Sequence, residues 1–253
     1  MKTISRRSML KTAGSSVGMA VLGIPVFCTG KEQKKMQSKV KYKVLVIGAH
    51  PDDSETGCGG TMTLLSKAGH EVVSVYLTRG EAGISGKTHE QAAQIRSREA
   101  LNACRIMEAR PEFLGQIDGN CEITSNRYTE MYDFIQKEKP DVVLTHWPID
   151  GHRDHRICSV LVFDAWLKLN RNFDLYYFEV ESGHQSQHFA PTDFVDIESV
   201  LDEKHKACYC HASQNMDSVF QDYHNLMEQF RGLQSHCKYA EAFIKHNQVL
   251  SEI

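Results

Sequence analysis

Three short runs constrain this chain most: KVLVI at 43–47, EVVSVYL at 71–77 and DVVLT at 141–145. Each has a β-branched, largely unbroken apolar core. A strand with one wet face alternates apolar and polar residues, and a strand covered on both faces does not. Helical patterns separate these runs. Gly57-Cys58-Gly59-Gly60 opens a helix through Leu64 to Ala68, stopped by Gly69. His89–Met107 offers Ala93, Ile95, Ala100, Leu101, Ala103 and Cys104 for burial. Thr129–Lys137 is helical up to Pro140, and Ile157–Leu169 is a helix with a broad apolar face. Glu112–Leu114, Leu175–Val180 and Phe194–Ile197 read as further strands. Val200–Cys210 and Tyr223–Phe230 read as helices, and Thr78–Lys87 is a glycine-rich loop. No internal repeat is visible. The alternation predicts an α/β fold in three layers, a mostly parallel sheet with helices on both faces.

The amino terminus differs in kind. Arg6-Arg7 stands directly before a moderately apolar stretch, Ala13 to Phe27, rich in Gly and Ser. This pattern reads as a twin-arginine export signal over residues 1–30, and predicts a periplasmic or cell-envelope location. Cys28 as a lipid anchor and cleavage near Gly30 both stay open; Phe27 is bulky where an anchor expects small residues. Residues 31–41 form a polar linker, and 42–253 a single catalytic domain. No apolar run reaches the ~18 residues of a membrane span. Net charge is −3 and no basic stripe alternates with aromatics, so nucleic acid is not an expected partner. The eight cysteines are scattered. Cys208-Tyr-Cys210 lacks a second close pair for a zinc ribbon, and free buried thiols are expected.

In a Rossmann-like sheet of this kind, ligands bind beyond the carboxyl ends of the strands. Two polar clusters follow such ends: His50-Pro51-Asp52-Asp53 after 43–47, and His146-Trp147-Pro148 after 141–145, leading into Gly151-His152-Arg153-Asp154-His155. Two adjacent carboxylates at the end of a buried strand need a positive partner. A metal ion supplies one. His50, Asp53 and His155 give two nitrogens and one oxygen, the usual three-ligand catalytic zinc set with an open position. Asp52 is then free to take a proton from water activated by the metal. His152, oriented by Asp154, can donate to a developing oxyanion or protonate a leaving amine. The set suits hydrolysis of an amide or ester. The N/O donor set also suits iron, manganese or cobalt.

AHPDDSETGCGG (49–60) and HRDH (152–155) resemble the two signature motifs of the PIG-L/LmbE-like zinc-dependent N-deacetylase family. LTRGEAG (77–83), RSREALNACRIM (96–107), HASQ (211–214) and KYAEAF (238–243) are similar to further segments of it, so the resemblance runs from Tyr42 to about His246. It implies the same zinc ligands, His50, Asp53 and His155, with Asp52 as general base and His152 as oxyanion or acid group. Arg79 corresponds to a substrate-contacting arginine. The substrates implied are N-acetylglucosaminyl compounds, and relatives often form trimers or hexamers. Arg153 stands where Pro is common, which alters the loop but removes no ligand.

Other motifs have plainer readings. The G-x-G-x-x-G spacing of a dinucleotide loop is absent, so Gly57–Gly60 is a close-packing helix start. Arg79 can equally be a surface residue, and His211 and Gln214 suit a helix end better than a site. His184 and His188 read as solvated. The leading reading is an N-deacetylase acting on an amino-sugar compound or glycan. An amidase for a larger acyl group and a non-catalytic carbohydrate-binding module are the alternatives. A pure binder needs neither Asp52 nor His152.

Overall fold

The computed structural model describes residues 41–247, preceded by two two-residue strands, Ala20–Val21 and Ile24–Pro25, paired antiparallel. Apart from those four residues, the expected export signal, with Arg6, Arg7 and Cys28, and the linker through residue 40 lie outside the described residues.

The main sheet has seven strands: β1 (Lys43–Gly48), β2 (Glu71–Thr78), β3 (Arg110–Gln116), β4 (Val142–His146), β5 (Asp174–Phe178), β6 (Asp193–Asp196) and β7 (Ala240–Lys245). Their spatial order is β3-β2-β1-β4-β5-β7-β6. The first five are mutually parallel, and β7 runs antiparallel to both β5 and β6. Successive connections run outward in opposite directions from β1, so the order reverses between β1 and β4. That switch point opens the crevice in which such sheets bind ligands.

The helices are α1 (Asp53–Lys67), α2 (His89–Met107), α3 (Ser125–Glu138), α4 (Arg153–Lys168), α5 (Leu201–Tyr209), α6 (Met216–Val219) and α7 (Asn225–Ser235). Alternate residues of β1 serve both faces. Val44 and Val46 pack with Cys58, Met62 and Leu65 of α1, Ala103 and Met107 of α2 and Ala207 of α5. Leu45 and Ile47 pack with Met131 and Ile135 of α3 and Ile157, Leu161 and Ala165 of α4. Burial on both sides is why the run carries no polar alternation. No helix among the described residues is long and apolar enough to cross a membrane. Among the described residues seven cysteines are free, five of them buried.

Three local expectations are corrected. Helix α1 begins at Asp53, so Gly57–Gly60 lie inside it and do not open it. Close packing, however, is the reason for the glycines. A Cβ at Gly57 would lie 2.6 Å from Phe178 Cδ2, and one at Gly60 2.5 Å from Ile197 Cγ2. Helices α3 and α4 each begin four residues before the apolar pattern does, because their first turns are polar and capped by Thr124 and His152. Strand β7 was not expected as a strand. Its Glu241, fully buried, interrupts the apolar run because it accepts from Gly60 N and Thr61 N inside α1 and pairs with Lys204.

Candidate active site

The polar clusters after β1 and β4 meet at the switch point. Leaving β1, the chain turns sharply at Asp52, which has φ 111° and caps α1. A non-glycine residue there is strained and persists only where its surroundings hold it. Arg96 of α2 holds it: Nη2 donates to Asp52 Oδ2 at 2.9 Å and also to the Pro51 carbonyl. The Asp52 amide donates to Glu55 Oε2 at 3.2 Å.

Asp53 stands at the centre. Its Oδ1 is 3.2 Å from His155 Nε2, and its Oδ2 is 3.2 Å from both His50 Nδ1 and His146 Nε2. The remaining nitrogen of each outer histidine is braced by carboxylates. His50 Nε2 is 3.1 Å from Asp118 Oδ1 and 3.4 Å from Asp154 Oδ2. His155 Nδ1 is 3.2 Å from Asp150 Oδ1 and 3.2 Å from Gln185 Nε2. His146 differs, because its Nε2 accepts the Ala49 amide at 2.9 Å while its buried Nδ1 has no partner.

The charges follow from these contacts. Burial opposes the charged form of Asp53, yet His155 and His146 hold its pKa well below the ordinary value. Burial likewise opposes a charge on His50 and His155. Asp118, Asp154 and Asp53 nevertheless hold His50 well above its ordinary pKa, and Asp53 and Asp150 hold His155 up at about 9. Burial, reinforced by His155, pushes His146 down to about 4. Burial and the adjoining Asp53 raise Asp52, against the pull of Arg96.

His152, half-buried, lies edge-on to His50 with ring centroids 4.7 Å apart. Its Nδ1 accepts the Asp154 amide at 3.2 Å, so the neutral ring carries its proton on Nε2. Burial, then His50 and His155, lower its pKa. Asp154 therefore meets His152 through its backbone amide. The carboxylate braces His50 and accepts Gly119 N at 2.7 Å. Arg79 is turned to α2, where its Nε donates to Ser97 Oγ at 3.1 Å.

A cavity of about 290 Å³ reaches this site, with Asp52, Asp53 and Thr56 beside Gln185, Gln214, Tyr223 and His224. Gln214, expected at a helix end, lines the cavity and donates to Gly83 O at 3.2 Å. His211 is fully buried, 3.4 Å from Glu55 Oε1, and makes no side-chain cap. His184 and His188 are exposed as expected, and His184 also lines the cavity.

The sequence profile of PIG-L, described as GlcNAc-PI de-N-acetylase, matches residues 45–166. The diacetylchitobiose deacetylase of Thermococcus kodakarensis is 32% identical over 219 residues, covering 79% of this chain and 81% of that protein. This chain belongs to the PIG-L/LmbE-like deacetylase family. The 4-oxalmesaconate hydratase of Pseudomonas putida is also similar, 28% identical, with 73% of this chain and 78% of that protein covered. Among solved structures, N,N'-diacetylchitobiose deacetylase from Pyrococcus horikoshii superimposes with a TM-score of 0.71 at 24% identity, over 84% of this chain and 86% of that one. That likeness shows a common α/β fold.

The donor set of this PIG-L member fits a metal ion. Ligand atoms of His50, His152 and His155, of Asp53, His146 and His155, and of His50, Asp118 and Asp154 fall into groups within 4.8 Å. The sequence-derived set is split between the first two groups. Two observations separate His146 from the others. Its Nε2 lone pair is engaged by an amide, whereas His50 and His155 each have one nitrogen braced by a carboxylate and the other facing Asp53. A carboxylate behind each imidazole is the arrangement of metal-binding histidines. The surrounding acids also draw positive charge onto both rings, the charge a divalent ion would bring.

Arg96, Asp118, Asp150 and Gln185 escaped a functional reading from sequence, and His146, placed in the polar cluster after β4, was given no role of its own. Asp118 and His146 carried a usable signal, because both stand at carboxyl ends of parallel strands. Arg96 and Gln185 carried none, being a polar position in a helix and a glutamine in a loop.

Proposed function

We propose that this chain is a zinc-dependent N-deacetylase that removes the acetyl group from an N-acetylglucosaminyl-type amino sugar or glycan. The observation that carries the reading is Asp53, bracketed by His50 and His155, beside an Asp52 carboxylate that opens on the cavity and binds no histidine. The deacetylases among the relatives support the substrate class. His50, Asp53 and His155 would hold the ion, which when bound would polarise a carbonyl oxygen and lower the pKa of a water from about 15.7 to near 7. Asp52 takes the proton of the water that attacks the acetamide carbon. His152 Nε2–H donates to the oxygen on which charge develops. When the C–N bond breaks, the proton gathered by Asp52 leaves on the amine, giving acetate and a free amino sugar.

The test is acetate and free-amine release from N-acetylglucosamine and N,N'-diacetylchitobiose with zinc present. Release of both products in equal amounts is expected, and its absence with both sugars overturns the reading. The hydratase relative gives the contrasting outcome, water added to a double bond with no acetate.

Arg6-Arg7 and the apolar stretch to Phe27 support a further part of the proposal, export in a folded state. Arg6→Lys with Arg7→Lys should retain the protein in the cytosol, and an unchanged distribution overturns that part. Leu226, Phe230 and Leu233 are exposed along α7, which supports a homo-oligomer, tested by light scattering.

A further inference from the structure

The cavity has a marked gradient from floor to mouth. Asp53 and Thr56, at the amino end of α1, are 6% and 5% exposed, whereas Tyr223 is 42% exposed. The acetamide must reach the buried end, where Asp52 and Asp53 are. Whatever the acetylated ring is attached to then extends towards the exposed part of the lining, which includes Tyr223 and His184.

The chain builds that mouth from two separate segments. Ser182, His184 and Gln185 come from the loop after β5, and Met216, Val219, Tyr223 and His224 from the helical run after α5. The run contains a π turn at Phe220–His224 between α6 and α7. Such turns are rare and frequent at functional sites, and here the widened turn brings two consecutive side chains, Tyr223 and His224, to one cavity. The rings of His184 and Tyr223 meet across the two segments, centroids 5.4 Å apart and tilted at 56°. His184 is anchored by its Nδ1, 2.9 Å from the Ser182 carbonyl. Deeper in the same wall His224 is 5% exposed, and its Nδ1 has no partner among the described residues.

The lining thus combines an aromatic ring and apolar side chains, Tyr223, Met216 and Val219, with polar ones, Ser182, Gln185 and Gln214. A pyranose ring combines the same two characters, with C–H groups on its faces and hydroxyls around its rim. The negative face of an aromatic ring attracts such polarised C–H groups.

We propose that Tyr223, supported by His184, forms a stacking subsite for a second ring joined to the acetylated sugar, so that the enzyme selects N-acetylated disaccharides or glycosides over the free monosaccharide. The inference rests on the deacetylase reading and adds the substrate's length.

The experiment compares kcat/KM for N,N'-diacetylchitobiose and N-acetylglucosamine in the zinc-loaded protein. The wild type should prefer the disaccharide. Tyr223→Ala should reduce the ratio of the two values about three- to tenfold, as expected for one aromatic contact. Tyr223→Phe, which keeps the ring, should preserve the ratio, and His184→Ala should reduce it less than Tyr223→Ala does. Equal use of both sugars by the wild type overturns the subsite alone, as does a preference that survives Tyr223→Ala. No acetate from either sugar overturns the deacetylase reading and the subsite with it.

Discussion

Arg96 Nη2 bridges the Asp52 carboxylate and the Pro51 carbonyl, joining α2 to the turn that presents the proposed base. The glycine-rich loop after β2 closes over this guanidinium. A Cβ at Gly80 would lie 2.5 Å from Arg96 Cδ, Gly80 has φ +70°, and a Cβ at Gly83 would strike Arg96 Nη1. The glycines of LTRGEAG therefore make room for Arg96. Arg96→Ala leaves Asp52 with its positive partner removed and should cost about 3 kcal/mol of stability, measured by denaturant unfolding. Arg96→Lys should recover only part of it, because an ammonium lacks the planar fork.

Asp52→Asn keeps shape and hydrogen-bonding capacity but cannot take a proton. Turnover should fall about 10²–10⁴-fold, the usual contribution of a positioned acid or base, with metal content unchanged. Near-wild-type turnover with metal bound would show that Asp52 is not the base.

Elemental analysis separates the two histidine readings. Asp53→Ala and His155→Ala should lose most of the bound zinc. His146→Gln should keep it, since His146 Nε2 is occupied by the Ala49 amide. Loss of zinc in His146→Gln, with zinc retained in His155→Ala, would reverse the assignment.

Behind the site, Lys204 is fully buried among Glu181, Glu228 and Glu241, at 2.8, 3.0 and 3.0 Å. Removing the one lysine takes the shared cation from three buried acids, of which Glu228 keeps His205 at 2.8 Å and Glu241 its two α1 amides. Lys204→Met should destabilise the fold by about 3–5 kcal/mol, read as a lower urea midpoint. A midpoint unchanged from wild type would mean that the acids balance one another by sharing protons.

His224 gives a pH signature. Burial first, and then Lys204, lower its pKa from 6.5 to about 4. Unfolded chain takes up this proton near 6.5 and folded chain only near 4. The contribution of His224 to stability is therefore complete above pH 6.5 and is lost as pH falls from 6.5 towards 4. His224→Gln should flatten that part of the stability–pH curve, and an unaltered slope would refute the assignment.

The local sequence by itself determined the layers and the address of the site. Apolar runs without alternation can be satisfied only by burial on both faces, so β1, β2 and β4 and the helices between them were legible, as was the clustering of His50, Asp52, Asp53, His152 and His155 at strand ends. Tertiary structure decided what local pattern does not encode. Helices α1 and α4 start before their apolar periodicity because caps and first turns are polar. Strand β7 was hidden by Glu241, whose charge is tolerable there only because Lys204 and two α1 amides from distant parts of the chain meet it. The roles of Arg96, Asp118 and Gln185 likewise depend on contacts across 30 or more residues, and that of Asp150 on the turn that folds it back onto His155. A carboxylate or guanidinium looks the same in sequence whether it faces water or braces a catalytic turn, and only the packed fold distinguishes the two.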